Sequence, residues 1–186
     1  MKRLFFVLCF GALASCNDKG SSTTTETKSG DSSKISTTGS VTPEMPYATA
    51  EPYKDWQPGD KQNAVVAMNA LKGWVANDIP SSVANFGDSV ELRFDYFNKK
   101  FSKDSLTAFF TSDRATYADV KITMYDWESV ISADKKTEYV TMWYKQKFTD
   151  KKGKTDSMSV VDDLKFEKGK IIELDEKIQH YPTKGK

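Results

Sequence analysis

Two carboxylates lie where a β-hairpin would bring them together. Asp162 stands in the run Met158, Val160, Asp162, Leu164, Phe166, and Glu176 in the run Ile172, Leu174, Glu176, Ile178, His180. Both runs recur at every second residue, the spacing of one strand face. Lys168-Gly169 lies between them. A strict two-residue turn there pairs Phe166 with Ile171 and sends the two apolar sets to opposite faces. A three-residue turn, or one bulge, puts both sets on one face with Asp162 opposite Glu176. Two carboxyls that close, in an apolar surround, cannot both ionise at their ordinary pKa. One is pushed up, as a general acid or base requires. The competing reading has both strand ends reach past the helices, with the carboxylates wet or paired with lysine.

His180 is the single histidine. Without a second His or a Cys it cannot build an ordinary zinc site. A Ser-His-acid triad needs a placed nucleophile, and nothing places one. His180 reads as a strand-end residue and a pocket candidate. No glycine-rich phosphate loop or other metal motif is present, so neither metal nor cofactor is expected.

The two cysteines belong to the N-terminus. Lys2 and Arg3 precede a short apolar run, Leu4–Leu13, and then small residues. The run falls well short of the roughly 20 residues a spanning helix needs, and it reads as a secretory signal. Leu13-Ala14-Ser15-Cys16 resembles a bacterial lipobox. That resemblance implies cleavage before Cys16 and attachment of palmitate-type acyl chains to it. Residues 1–15 are then a signal peptide, and Cys9 leaves with it. The mature chain has no free thiol, which excludes a disulfide, a zinc-cysteine site and a cysteine nucleophile. Several acyl chains hold such a protein stably on a membrane. Asn17-Asp18-Lys19 resembles the short charged segments that some bacteria read as surface-export signals. The expected location is the cell envelope, lipid-anchored, on the outer membrane's periplasmic or surface side.

With 27 Lys+Arg against 26 Asp+Glu, the chain lacks the basic excess of a nucleic-acid binder. Fifteen of the 34 residues from Asn17 to Ala50 are Ser or Thr. Such a segment cannot bury enough surface to offset its ordering entropy. Residues 16–58 are expected to be a disordered tether, stiffened by Pro43, Pro46, Pro52 and Pro58, with a reach of roughly 35–40 Å. Residues 59–182 are expected to fold as one domain, leaving 183–186 as a tail.

Within that domain, Asp60 suits a helix N-cap, and Ala64, Met68, Leu71 and Val75 recur at helical spacing. Pro80 suits the first turn of a short second helix. After a turn at Gly87-Asp88, alternation from Val90 to Tyr96 predicts a strand. Ser102 can cap a third helix that buries Leu106, Phe109 and Phe110. Three hairpins follow, with turns at Ser132–Lys136, Asp150–Gly153 and Glu167–Lys170. This is an α+β plan, two or three helices packed on a curved, mainly antiparallel sheet.

That order of elements, ending in Asp162 to Ile171 with an aromatic followed by Gly-Lys-Ile, resembles the nuclear transport factor two-like superfamily, which includes SnoaL-like cyclases and ketosteroid isomerases. The resemblance spans Asp60 to Tyr181. It implies a cone with a pocket between helices and concave sheet. It leaves function open, because the superfamily holds enzymes and pure binding or dimerisation modules. Its acid/base enzymes often carry a pocket aspartate at the end of the first strand, commonly followed by Pro. Asp95-Tyr96 falls near that place without the Pro, and the alternation gives Asp95 a facing opposite to Leu92, Phe94 and Tyr96.

The aromatics bear on the pocket. Trp74 lies late in the first helix, and Trp127 and Tyr144 lie in the meander. Tyr139, Thr141 and Trp143 occupy one face of their strand, and Val140, Met142, Tyr144 and Phe148 the other. A sheet with one solvated face would not carry large apolar groups on both. One set lines a cavity, or one face meets a second copy as a homodimer; plain core with some exposed aromatics is the alternative. Trp74, Trp127, Tyr144 and His180 are the pocket candidates. The expected role is non-catalytic binding of a small apolar ligand or a protein partner. The alternative is a lyase or isomerase that uses Asp95, Asp162 or Glu176 as its base.

Overall fold

The computed structural model describes residues 45–181. The expected signal peptide, Cys16, the expected tether up to residue 44 and residues 182–186 lie outside them.

The sheet begins earlier than the sequence suggests. β1 (Gln57–Pro58) pairs with Val130 and Ile131, the Ala133 N–H donates to the Lys54 carbonyl at 2.9 Å, and Trp56 meets Tyr139 edge-on at 5.8 Å. Residues 54–58 thus belong to the fold and not to the tether.

Asp60 caps α1 (Lys61–Val75), its carboxylate accepting the Gln62 N–H at 2.8 Å. The buried face of α1 is Asn63, Ala64, Ala67, Ala70 and Gly73; Met68 and Leu71 are only half-buried. Small residues lead because α2 (Ile79–Val83) crosses so closely. A Cβ on Gly73 would come within 2.6 Å of the Ser82 backbone nitrogen. The Ser82 hydroxyl seals that crossing by donating to the Ala70 carbonyl at 2.8 Å.

β2 (Phe86–Phe94) runs through Gly87-Asp88, where the sequence suggested a turn, and the irregularity survives as a register shift against the last strand. β2 then turns at Asp95-Tyr96 into β3 (Phe97–Ser102), a strand the sequence did not announce. Its central residues Asn98, Lys99 and Lys100 are polar and exposed, so it has no apolar alternation to read. Ser102 caps α3 (Lys103–Arg114), which buries Leu106 and Phe110.

The meander follows as β4 (Tyr117–Ile131), β5 (Glu138–Asp150), β6 (Thr155–Glu167) and β7 (Lys170–His180). The sheet order is β1-β4-β5-β6-β7-β2-β3, antiparallel throughout except for β2 against β7. The helices cover one face, and Val90, Leu92, Leu106, Val140, Val160 and Ile171 pack to full burial between the layers. The α+β architecture expected from the sequence is the one observed.

Candidate functional site

The last hairpin decides whether a carboxylate pair exists, and it combines both registers weighed above. Lys168 and Gly169 form a two-residue turn with φ of 51° and 72°, so Phe166 does pair with Ile171. One residue later the register slips. Lys165 pairs with Glu173, leaving Ile172 as a bulge. From there Leu164 faces Leu174 and Asp162 faces Glu176. The bulge turns both apolar runs, and both carboxyls, to the side the helices cover.

That side encloses a cavity of about 260 Å³. Its walls are aromatic: Trp74 from α1, Phe94 and Tyr96 from the β2–β3 hairpin, Phe109 and Phe110 from α3, and Tyr117 and Phe148 from the meander. The rings brace one another, Trp74 on Tyr117 at 5.9 Å and Tyr117 on Phe148 at 5.1 Å. Asp162, Glu176, Asp113, Gln146 and His180 add polar groups to the lining.

Asp162 is 4% exposed. Its Oδ2 accepts a 2.8 Å hydrogen bond from the hydroxyl of Tyr144, on the neighbouring strand. Its Oδ1 is buried and has no partner. Burial raises the Asp162 pKa to about 7; the Tyr144 hydroxyl opposes this, and Asp163 and Asp175 on the outer face add to it. Burial also pushes the Glu176 carboxyl well up, and Asp162, Asp113 and Asp95 push it further. The Tyr144 phenol is driven well up too, by burial first and then by Asp162. Asp113, half-buried on α3, is raised by burial, with the Trp74 indole working against the shift.

The structure brings Trp74, Tyr144, His180, Asp162 and Glu176 to one cavity. It does not bring Trp127 or Asp95. Trp127 sits opposite Met142 on the covered face but one strand further out, packed half-buried on the core. Asp95 is exposed in the β2–β3 turn. The first long strand ends at Phe94, and the chain reverses before Asp95 can point inward. It touches the cavity only through its charge, felt by Glu176. Asp113 was missed, although a signal existed. Leu106, Phe109, Phe110 and Asp113 share one helical stripe, and an acid on an apolar stripe is a candidate in its own right. Among the described residues no cluster of three His, Cys, Asp or Glu side chains could hold a metal ion.

No known protein-family profile matches the sequence, and no curated protein matches it by sequence. Solved structures do match it by shape. An NTF2-like protein of unknown function from Burkholderia pseudomallei superposes with a TM-score of 0.53 over 63% of this chain and 91% of its own, at 14% identity. A second, from Exiguobacterium, gives 0.51 over 61% and 98%, at 14% identity. The fold is the NTF2-like cone. A ketosteroid isomerase-like protein from Catenulispora acidiphila, solved in complex with trimethylamine, matches with a TM-score of 0.50 over 60% of this chain and 83% of its own, at 10% identity. At these identities an NTF2-like neighbour speaks for the fold and not for a reaction.

Proposed function

We propose that this NTF2-like chain is a lipid-anchored envelope protein whose cone holds a small ligand, mostly apolar with one polar end, without chemical change. One observation carries the reading: an aromatic cavity of about 260 Å³ is floored by a buried carboxyl with a free oxygen. Aromatic walls with a few convergent polar groups are what small-molecule sites require. The trimethylamine held by the Catenulispora protein supports the reading to the extent that this fold admits small molecules. The anchor is proposed from the residues around Cys16. The test is to purify the full chain from its native membrane under mild conditions, unfold it in organic solvent and weigh what is released. A stoichiometric compound supports the reading. A blank that persists after incubation with envelope extract sinks it.

The second reading is proton transfer, favoured by Asp162. An acid raised to about 7 is matched to general acid–base work near neutrality. Here the released compound would exchange a C–H hydrogen with deuterated solvent in the presence of the protein and not with Asp162→Asn. Equal exchange with both proteins would remove this reading. A homodimer through the outer sheet face is also proposed, because Tyr139 and Trp143 stay half-buried there without helix cover. Trp143→Glu should halve the sedimenting mass; a monomeric parent would refute it.

A further inference from the structure

The charges around the cavity are one-sided. Carboxyls face it from three elements: Asp162 from β6, Glu176 from β7 and Asp113 from α3. Among the described residues no lysine or arginine lines it. Two cations nearby bond elsewhere, and their charge still reaches Asp113 and Asp162 from outside the cavity. The Arg114 guanidinium donates to the carbonyls of Trp74, Val75 and Tyr117 at 3.0–3.3 Å. Lys177 lies on the outer face, 2.8 Å from Asp163 and 3.1 Å from Asp175. Among the described residues His180 at the rim is the one lining group able to carry positive charge, and Tyr96, Tyr117 and Tyr144 contribute neutral hydroxyls.

Within this ring Asp162 lines the cavity, and its Oδ1 lies buried with no partner among the described residues. Buried acceptors are normally satisfied, and one left open lacks a donor. The donor has to come from the cavity. A neutral apolar guest would leave the oxygen unpaired, and an anion brings acceptors but no donor. An ammonium supplies the donor, and the aromatic ring faces attract it as well.

We infer that the cavity selects a protonated amine on an apolar body, its ammonium N–H donated to the Asp162 carboxyl and its charge shared with Glu176 and Asp113. The inference rests on the ligand-cavity reading above and adds the ligand's charge. A dry cavity of about 150 Å³ holds one benzene, so the space here suits roughly ten to fifteen non-hydrogen atoms. In the empty cone burial favours the protonated forms of Asp162 and Glu176. An ammonium favours their ionised forms, so binding releases protons and tightens as the pH climbs through neutrality.

The test uses the full chain with Cys16→Ser, so that no acyl chain competes for the cavity. Three probes of one size and different charge are titrated by calorimetry and by tryptophan fluorescence: 4-phenylbutylamine, 4-phenylbutan-1-ol and 4-phenylbutanoate. The amine should bind at least about tenfold more tightly than the alcohol, as a charge-assisted hydrogen bond implies. It should release protons measurably in buffers of different ionisation enthalpy. Asp162→Asn should bring the amine to within about twofold of the alcohol; Glu176→Gln serves if that variant does not fold. Binding of the alcohol or the butanoate as tightly as the amine overturns the inference and leaves the ligand cavity standing. Failure of all three to bind at millimolar concentration overturns both.

Discussion

Tyr144 and Asp162 are joined hydroxyl to carboxylate at 2.8 Å inside a mainly apolar sheet face. The bond holds one oxygen of the acid and leaves the other buried without a partner among the described residues. An acid so placed gives the fold a dependence on pH. Asp162 keeps its proton to about pH 7 in the folded chain, whereas an unfolded aspartate gives it up near about pH 4. Between those values the native state binds more protons than the unfolded state, so stability falls as pH rises.

The difference is on the order of 4 kcal/mol once the pH has passed the folded value, at about 1.4 kcal/mol per unit. Asp162→Asn removes it. The variant's urea midpoint at about pH 8 should exceed the parent's, and its decline from about pH 4 to 7 should flatten. Glu176 and Asp113 titrate in the same sense, so the decline lessens without vanishing. Equal midpoints in parent and variant across that range would show Asp162 to be ordinarily solvated.

Tyr144→Phe acts on the same acid from the other side. The hydroxyl favours the charged carboxylate, so its loss moves the Asp162 pKa up, by about one unit for a charge-assisted bond. The variant should lose about 1–3 kcal/mol at alkaline pH, where the carboxylate is left without its donor, and less at acid pH. Carbon-13 titration of the Asp162 carboxyl reads the shift directly. A shift downward would mean that the phenol does not donate to the carboxylate.

The pair was half legible in the sequence. Alternation placed Asp162 and Glu176 on strands, and the turn at Lys168-Gly169 was plain. The bulge at Ile172 was not, because a bulge answers to packing on both faces and leaves no fixed residue signature. Asp95 shows the converse. Its place near the end of an apolar run pointed inward by resemblance, yet the chain reverses there and exposes it. The seam of α1 was misread for a related reason. Large residues signal burial by their cost in water, whereas Ala67, Ala70 and Gly73 are buried because another helix needs the room.

Gly73 should therefore resist the substitution that usually helps a helix. In an exposed helix interior, Gly→Ala stabilises by about 1 kcal/mol. At Gly73 the new methyl would meet the Ser82 backbone at 2.6 Å, and backbone cannot step aside as a side-chain tip can. Gly73→Ala should lower stability by about 1–3 kcal/mol as α1 and α2 are pried apart. A variant as stable as the parent would show that the crossing is looser than described.

Lys168 is the opposite case, a position that can be improved. Its φ of 51° is left-handed, where a long side chain fits poorly and asparagine fits well. Asn-Gly is the preferred pair for this hairpin turn. Lys168→Asn should raise stability by about 0.5–1 kcal/mol without altering ligand binding, since the turn lies outside the cavity lining. Unchanged stability would mean that Lys168 sits in its turn without strain.

The last prediction concerns the membrane. A lipobox cysteine anchors only after its thiol is acylated and the preceding residues are removed, so the consequence is chemical and can be weighed. The mature protein should begin at Cys16 and carry the mass of its acyl chains. It should partition into the detergent phase on cloud-point separation. Cys16→Ser should keep the signal sequence or be released without lipid, and should move to the aqueous phase. Several buried acyl chains at about 0.8 kcal/mol per methylene make this an all-or-none difference. A parent chain found wholly in the aqueous phase at the unmodified mass would mean that Leu13-Ala14-Ser15-Cys16 is not processed as a lipobox and that no acyl chain holds the cone domain at a membrane.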